Sequence, residues 1–516
     1  MIIKTYSHFF KILVDNETEA KIIGKFASNY APLERVFDKE TKKISMKVLR
    51  VYASKCSGNE FRFHIGVLPE FETYIKSYSN NDIVITSTQT PMYIPDNDIV
   101  IKHKESWVLK DYQLKASEFI MNDELNSISR TRLLGLLTGK GKTVTAMLSL
   151  IKNNGRLFIL VLPKYIDKWI SDVKSILDID DKEIMVLRES NTVIGLMSNS
   201  KDNKNSFKNV KIFICSLVSM RLVTEEYEKN GRTYWISQYD VHIEDMFENL
   251  GVSSVLIDEG HEHFHATFKI MLFCHVYKFL TLSGTMLSED NFISDMQKLI
   301  YPPEVSMIDE EYTKHVTCVN LKYQFHQNHV PNIKTESFYI KDYNHPVFEK
   351  SIIRQKYCLE NYITMLITCI ERWYIKHRTD GDKCLLFVAS VDLADIMLSR
   401  LKSEYPKLVI KKYFKSYGGK LEDILTSDIT ITSTGSAGAA LDIKGLITVI
   451  MEDNKVSTKT NLQSLGRLRV IEDRDVYYIW LTSTNIKKHQ TYNNERQNLL
   501  NGKVKLIENV TYEKLI

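Results

Sequence analysis

Five short apolar runs lie at residues 133–137, 156–162, 210–215, 252–257 and 278–282, and the stretches between them carry helical spacing. Short, unbroken apolar runs predict strands buried on both faces, and so a parallel sheet covered by helices. A second set follows, with an amphipathic helix over 346–377 and strands at 383–388, 408–412, 429–433, 447–451 and 476–481. It predicts a second α/β domain. Ahead of both, the pattern predicts strands at 10–14, 44–53, 60–65 and 82–86 and helices at 17–26 and 69–77, a small α+β domain. Turn-forming residues around Pro91 and Pro95 set a boundary after residue 100. The expected organisation is an accessory domain at 1–100, a first α/β domain at 105–300, a connector at 301–335, a second α/β domain at 336–490 and a tail at 491–516. The Asn- and Ser-rich stretch 190–208 reads as a surface loop.

Composition changes this picture little. A chain of 516 residues is too long for one core. A net charge of +4 identifies no partner, since basic groups can be confined to one groove of a balanced surface. Seven cysteines (Cys56, Cys215, Cys274, Cys318, Cys358, Cys369 and Cys384) form no C-x-x-C pair and read as buried thiols of a reducing compartment. No apolar stretch is long enough to span a membrane, and the start has no leader pattern, so a cytoplasmic protein is expected.

Candidate chemistry begins between the run at 133–137 and the helical stretch from Val144, where the chain reads Thr138-Gly139-Lys140-Gly141-Lys142-Thr143. Glycines let backbone N–H groups close around phosphate oxygens, and the helix that follows aims its positive dipole end at the same place. Lys142 would reach the β- and γ-phosphates of a nucleotide, and the Thr143 hydroxyl would ligate Mg²⁺. Leu136 stands where the strict phosphate-loop pattern has its first glycine. After the run at 252–257 come Asp258 and Glu259, at the strand end where ligands bind open α/β sheets. Asp258 would hold Mg²⁺ through water, and Glu259 would polarise the attacking water. Phosphoryl transfer also calls for an arginine; Gln463, Arg467 and Arg469 supply the candidates, near the γ-phosphate and as arginine finger.

Taken in order, these segments resemble the superfamily 2 helicases and translocases of the DExH type over about residues 105–490. Leu109-Lys-Asp-Tyr-Gln113 resembles the adenine-reading entry motif, 138–143 motif I, Leu162-Pro-Lys164 with Trp169 motif Ia, and Asp258 to His261 motif II. Ser283-Gly-Thr285 resembles motif III, and 386–390 motif IV. Thr434 with Gly438 to Asp442 resembles motif V, and 463–469 motif VI. The resemblance implies two tandem RecA-like parallel-sheet domains behind the small N-terminal α+β domain. It implies ATP and Mg²⁺ as cofactors, Gln113 in nucleotide binding, and His261, Ser283, Thr285 and Asp442 in coupling. It further implies Lys164, Ser216, Ser390 and Thr434 as contacts to a nucleic-acid backbone. Two departures stand out: Ala440 replaces the usual motif V glycine, and the arginines are two apart rather than three. On a regular helix, that spacing would turn Arg469 away from the face of Arg467.

Within the superfamily, the pattern is similar to the UvsW-like branch-migrating phage helicases, whose small N-terminal domain resembles residues 1–100. The resemblance implies an ATP-dependent DNA helicase or translocase that unwinds or branch-migrates forked or branched DNA in replication and recombination. An RNA helicase or transcript-releasing translocase, and a hydrolysis-poor nucleic-acid-binding switch, are the alternatives. In the N-terminal domain, Lys42, Lys43, Lys47, Arg50, Lys55 and Arg62 are candidate duplex contacts. His261, Glu262, His263 and His265 invite a zinc reading. The alternation of His263 and His265 as on an extended segment, with no cysteine nearby, argues against it.

Overall fold

The computed structural model describes the chain except residues 32, 38–43, 49–50, 55–59, 79–84, 91–98, 125–128, 138–139, 203–206, 261, 284–290, 309–313, 334–342, 437–442, 454–457 and 472–473; the side chains of 33–37, 44–47, 54, 201–202, 232, 291–293, 295, 421, 458–459 and 463 are likewise not described. Two compact units result: residues 1–136 with 140–309, and residues 137–139 with 310–516.

The first unit opens with β1 (Ile2–Thr5), β2 (Phe9–Leu13), β3 (Leu33–Phe37), β4 (Ile44–Val48), β5 (Ala53–Ser54), β6 (Glu60–His64) and β7 (Thr86–Gln89). Five of these form a mixed sheet in the order β5-β6-β2-β1-β7, and β3 pairs with β4. The helices Glu17–Ser28 and Leu68–Lys76 bury Phe26 and Phe71 against Phe63 of β6 and Phe10 of β2. This sheet does not stand apart. Arg62 on β6 is fully buried, bonded to Glu60 and to Glu244, and it donates to the Leu272 carbonyl. Lys11 also meets Glu60 and Glu244. His8 reaches Thr131 and the Val276 carbonyl, at 3.1 Å each. The duplex contact expected of Arg62 is thereby corrected: a guanidinium enclosed by two carboxylates has no surface to offer. The other candidates there, Lys42, Lys43, Lys47, Arg50 and Lys55, lie outside the described side chains.

Next come β8 (Lys102–His103), β9 (Thr131–Gly135), β10 (Arg156–Val161), β11 (Leu177–Asp178), β12 (Ile184–Leu187), β13 (Ile212–Ser216), β14 (Val252–Ile257), β15 (Lys278–Leu282) and β16 (Ser306–Ile308). Apart from the short pair β8 and β11, they build one parallel sheet in the order β12-β13-β10-β14-β15-β9-β16. Strands β9, β10, β13, β14 and β15 are buried at every position, the condition under which a strand reads as a continuous apolar run. Arg156 starts β10 yet stays inside, because its guanidinium donates to the carbonyls of Val210, Leu250 and Phe207. The loop expected over 190–208 is instead largely a helix, Ser190–Asp202. Val193, Leu196, Met197 and Ser200 share its buried face at helical spacing, a pattern its polar content hid.

The second unit contains β17 (Val316–Tyr323), β18 (Lys383–Phe387), β19 (Ile410–Tyr413), β20 (Ile429–Thr432), β21 (Leu446–Met451), β22 (Val476–Ser483) and β23 (Leu506–Thr511). All are parallel, in the order β19-β20-β18-β21-β22-β17-β23. Two tandem RecA-like α/β sheets are thus present. β17 comes from the stretch read as a connector and β23 from the stretch read as a tail. The single helix expected over 346–377 is broken at Gln355 into His345–Arg354 and Lys356–Ile370, followed by a π-helical turn at Glu371–Ile375.

Candidate active site

In the first unit Lys140 and Gly141 lead into the helix Lys142–Leu150, whose N-cap is Gly141 at φ +77°. Only glycine takes that conformation cheaply, and a Cβ at this position would also lie 2.4 Å from Gln113 Nε2. Gln113 is buried at the start of the helix Asp111–Met121. Its Oε1 accepts from the Lys110 N–H at 2.9 Å, and its Nε2 donates to the Lys140 carbonyl at 3.1 Å. Tyr112 donates to the same carbonyl at 3.2 Å, so two consecutive side chains of this helix hold Lys140 in place. Lys142 Nζ donates to the Leu136 carbonyl at 2.9 Å. Thr143 sits half-buried in the first helical turn. Thr138 and Gly139 lie outside the described residues.

At the end of β14, Asp258 and Glu259 are each 9 % exposed. The Trp169 indole N–H donates to Asp258 Oδ2 at 2.7 Å. Burial, then repulsion from Glu259, pushes the Asp258 carboxyl up to about 6, against the pull of Trp169, Lys168 and Lys142. The Lys142 charge is thus one of those that act on Asp258. Glu259 is held at φ +50°, a left-handed backbone costly for a side chain of its kind. Gly260 follows, its N–H bonded to the Leu282 carbonyl, and a Cβ there would strike Thr281 Cγ2 at 2.4 Å. That close approach locks the acidic turn onto β15, and the Ser283 N–H bonds the Leu134 carbonyl just beyond. His261 and Thr285 lie outside the described residues. His265 is in the helix Phe264–Met271 and His263 is its N-cap, so the extended segment expected for this pair is corrected.

Lys164 pairs with Glu262 at 3.4 Å. Ser216 is 1 % exposed and caps the helix Leu217–Asn230, accepting from the Ser219 N–H. Its hydroxyl faces the helix rather than solvent.

In the second unit, Ser390 caps the helix Val391–Glu404. Its N–H and that of Ala389 donate to the two carboxyl oxygens of Glu349, each at 2.6 Å. Glu349 lies beside Glu452, and both are fully buried. His345 Nε2 lies 2.9 Å from Glu452 Oε2, and the Tyr362 hydroxyl donates to Oε1 at 2.7 Å. Burial foremost raises both carboxyls, Glu349 to about 9 and Glu452 to about 7, so the pair retains a proton at neutral pH. Asp453, next along, accepts from Thr434 Oγ1 at 3.3 Å. Glu349, Glu452 and Asp453 escaped the sequence reading, although two carboxylates directly after an apolar strand repeat the pattern of Asp258 and Glu259. His345, Glu349 and Glu452 form a triad of metal-ligating types. Their polar atoms are engaged by Tyr343, Ala389, Ser390 and Tyr362, which suits a proton-sharing network.

Gln463 lies in the helix Thr458–Leu465. That helix ends before both arginines, so their separation is not that of a regular helix. Arg467 is 4 % exposed, with its guanidinium 5.7 Å from the Phe387 ring centroid. Arg469 donates from Nη1 to the Gly466 carbonyl at 3.0 Å. Asp442 lies outside the described residues.

No protein-family model and no curated protein matches the chain. Among solved structures, S. cerevisiae Dbp5 bound to RNA and ADP BeF3 is similar at a TM-score of 0.48 and 12% identity, over 78% of this chain and 89% of that one. The Mycobacterium smegmatis helicase Lhr bound to ssDNA and AMP-PNP is similar at 0.44 and 14%, over 77% of this chain and 48% of that one. The two parallel sheets and their strand orders define the fold. Among the described residues, no helix is long and apolar enough to cross a membrane. The described cysteines, all but Cys56, are buried free thiols.

Proposed function

We propose that this chain is a nucleic-acid-stimulated ATPase, an ATP-dependent motor that moves along or remodels nucleic acid. The observation that carries the reading is the placement, in the first unit, of Lys142 at the start of the helix capped by Gly141 and of Asp258 and Glu259 just past the end of β14, with the Lys142 charge acting on Asp258. A left-handed glycine cap, a lysine opening the helix and a buried carboxylate at a parallel strand end are what a nucleoside triphosphate requires of its host. The donor set also fits a hard divalent cation: the raised Asp258 carboxyl marks a buried negative charge lacking full compensation. Thr143 and Asp258 would hold Mg²⁺, which when bound supplies neutralisation of phosphate charge.

The remaining steps belong to the protein. Lys142 neutralises the β- and γ-phosphate oxygens, while Gln113 fixes the loop that cradles them. Glu259 orients and deprotonates the attacking water. From the second unit, Gln463 and Arg467 are assigned to the hydrolysis step, Arg467 ahead of Arg469. His261, Ser283, Thr285 and Asp442 are assigned to coupling. Lys164, Ser390 and Thr434 are assigned to phosphate contact, with Ser216 positioning the helix it caps. Such contacts are sequence-independent and salt-sensitive. The substrate proposed is DNA, forked or branched, unwound or branch-migrated in replication and recombination.

Lys142→Ala is expected to abolish nucleic-acid-stimulated phosphate release while leaving nucleic-acid binding intact. Turnover unaffected by this change would sink the reading. Stimulation measured across fork, Holliday-junction, duplex, single-stranded DNA and RNA substrates decides the nucleic acid.

A further inference from the structure

Along one edge of the second sheet, four strands end in register. Tyr413 of β19 pairs with Thr432 of β20, Thr432 with Phe387 of β18, and Phe387 with Met451 of β21. Neighbouring strands lie about 4.8 Å apart, so the loops that follow them emerge side by side over about 14 Å. The loops after β18 and β20 carry Ser390 and Thr434, already assigned to a phosphate backbone. The loop after β19 reads Phe414-Lys415-Ser416-Tyr417-Gly418-Gly419-Lys420 and is assigned nothing.

This loop is built to hold one shape. Tyr413 and Phe414 are buried at its base. The Phe414 carbonyl accepts from the N–H groups of both Tyr417 and Gly419, at 2.9 and 3.1 Å. Gly418 sits at φ +74°, and a Cβ on Gly419 would lie 2.9 Å from the Phe414 nitrogen and from Tyr413 Cδ2. The Lys415 N–H donates to Ser436 Oγ at 3.2 Å, and the Ser433 hydroxyl bonds the same atom at 2.9 Å, which ties the tip to the segment bearing Thr434. What the fixed tip displays is a tyrosine 70 % exposed, flanked by exposed Lys415 and Lys420. Lys411 and Lys412, deeper in the strand, pair with Asp423 and Asp395. Neither Lys415 nor Lys420 enters an ion pair among the described residues.

We propose that Tyr417, with Lys415 and Lys420, is a base-stacking platform that extends the nucleic-acid track of the second unit to the β19 end of its sheet. The inference rests on the motor reading and adds to it a single-stranded ligand. An exposed ring between cations fits that ligand, because every base has a face to stack and every linkage a phosphate to neutralise.

The test is fluorescence anisotropy of the full chain with short fluorescein-labelled single strands, one of DNA and one of RNA, at several salt concentrations. Tyr417→Ala is expected to weaken binding about tenfold, and Tyr417→Phe to restore it, since the stacking face is kept. Lys415→Ala and Lys420→Ala are each expected to lower the slope of log K against log salt by about 0.7. Thermal melting reports whether the variants keep their fold, which the exposure of Tyr417 predicts. If the parent chain binds and Tyr417→Ala binds equally well, the platform is overturned and the motor reading stands. If the parent binds neither strand, the platform falls, while the motor reading is judged by phosphate release with duplex and branched DNA.

Discussion

Asp258 and Glu259 are neighbours in sequence but differ in what the fold asks of them. Asp258 is buried with its carboxyl bonded to the Trp169 indole, whereas Glu259 carries a left-handed backbone. A carboxyl raised from 3.8 to about 6 costs stability once it ionises. Its burden is absent below the unfolded value, grows as pH rises to about 6, and is full at neutral pH. In chelator-treated protein at neutral pH, Asp258→Asn is therefore expected to be more stable than the parent by about 1–3 kcal/mol, read by urea unfolding. The same variant should lose ATP turnover. An Asn variant less stable than its parent would mean that the carboxylate is fully compensated. At this scale the sequence displayed the acidic pair and the lysine, but not the indole that orients Asp258. Residues 169 and 258 meet only through the sheet.

Among elements, the segments around Ser390 and Thr434 share a support. Glu349 holds the Ala389 and Ser390 amides and lies beside Glu452, while Asp453 takes the Thr434 hydroxyl. Glu349→Ala would orphan two amides and leave Glu452 without its proton-sharing partner. A loss of about 2–4 kcal/mol is expected in urea unfolding, and a smaller one for Glu349→Gln, which keeps one acceptor oxygen. The pair also carries a pH signature. Both carboxyls are raised, so the folded chain keeps protons that the unfolded chain releases, and their contribution falls as pH climbs from about 4.5 toward about 9. Glu349→Gln should flatten that slope; an unchanged slope would show that the two carboxyls do not share a proton. At Gln355 the backbone is extended and separates the two helices. Glu349 in the first helix and Tyr362 in the second both reach Glu452, and amphipathic periodicity alone does not register the turn between them.

For the whole molecule, the N-terminal sheet reads as a separate domain, yet it forms one unit with the first parallel sheet. The contact is polar and buried: Lys11, Glu60, Arg62 and Glu244 enclose one another, and His8 reaches Thr131. Removing one member of such a cluster strands the others in a low-dielectric site. Arg62→Ala is expected to cost about 3–5 kcal/mol and to lower the melting temperature of the accessory sheet and the first α/β sheet together. Separate transitions for the two, with only the accessory sheet affected, would show that they fold independently.

The two parallel α/β sheets were legible in the apolar pattern, because strands buried on both faces must be apolar throughout and their helices must carry an apolar stripe. The glycine-rich stretch ahead of Lys142 and the pair Asp258 and Glu259 were also visible in the sequence, because each is a local pattern of residue types. Which distant groups would meet was settled by the packing of the folded chain. Trp169 came to Asp258, Gln113 to the Lys140 carbonyl, Glu349 to Ser390, and Arg62 to Glu244 rather than to solvent. Strands β17 and β23 likewise joined the second sheet from stretches that read as connector and tail. Local pattern records what a residue's near neighbours require; hydrogen bonds and ion pairs between remote segments leave no period in the chain.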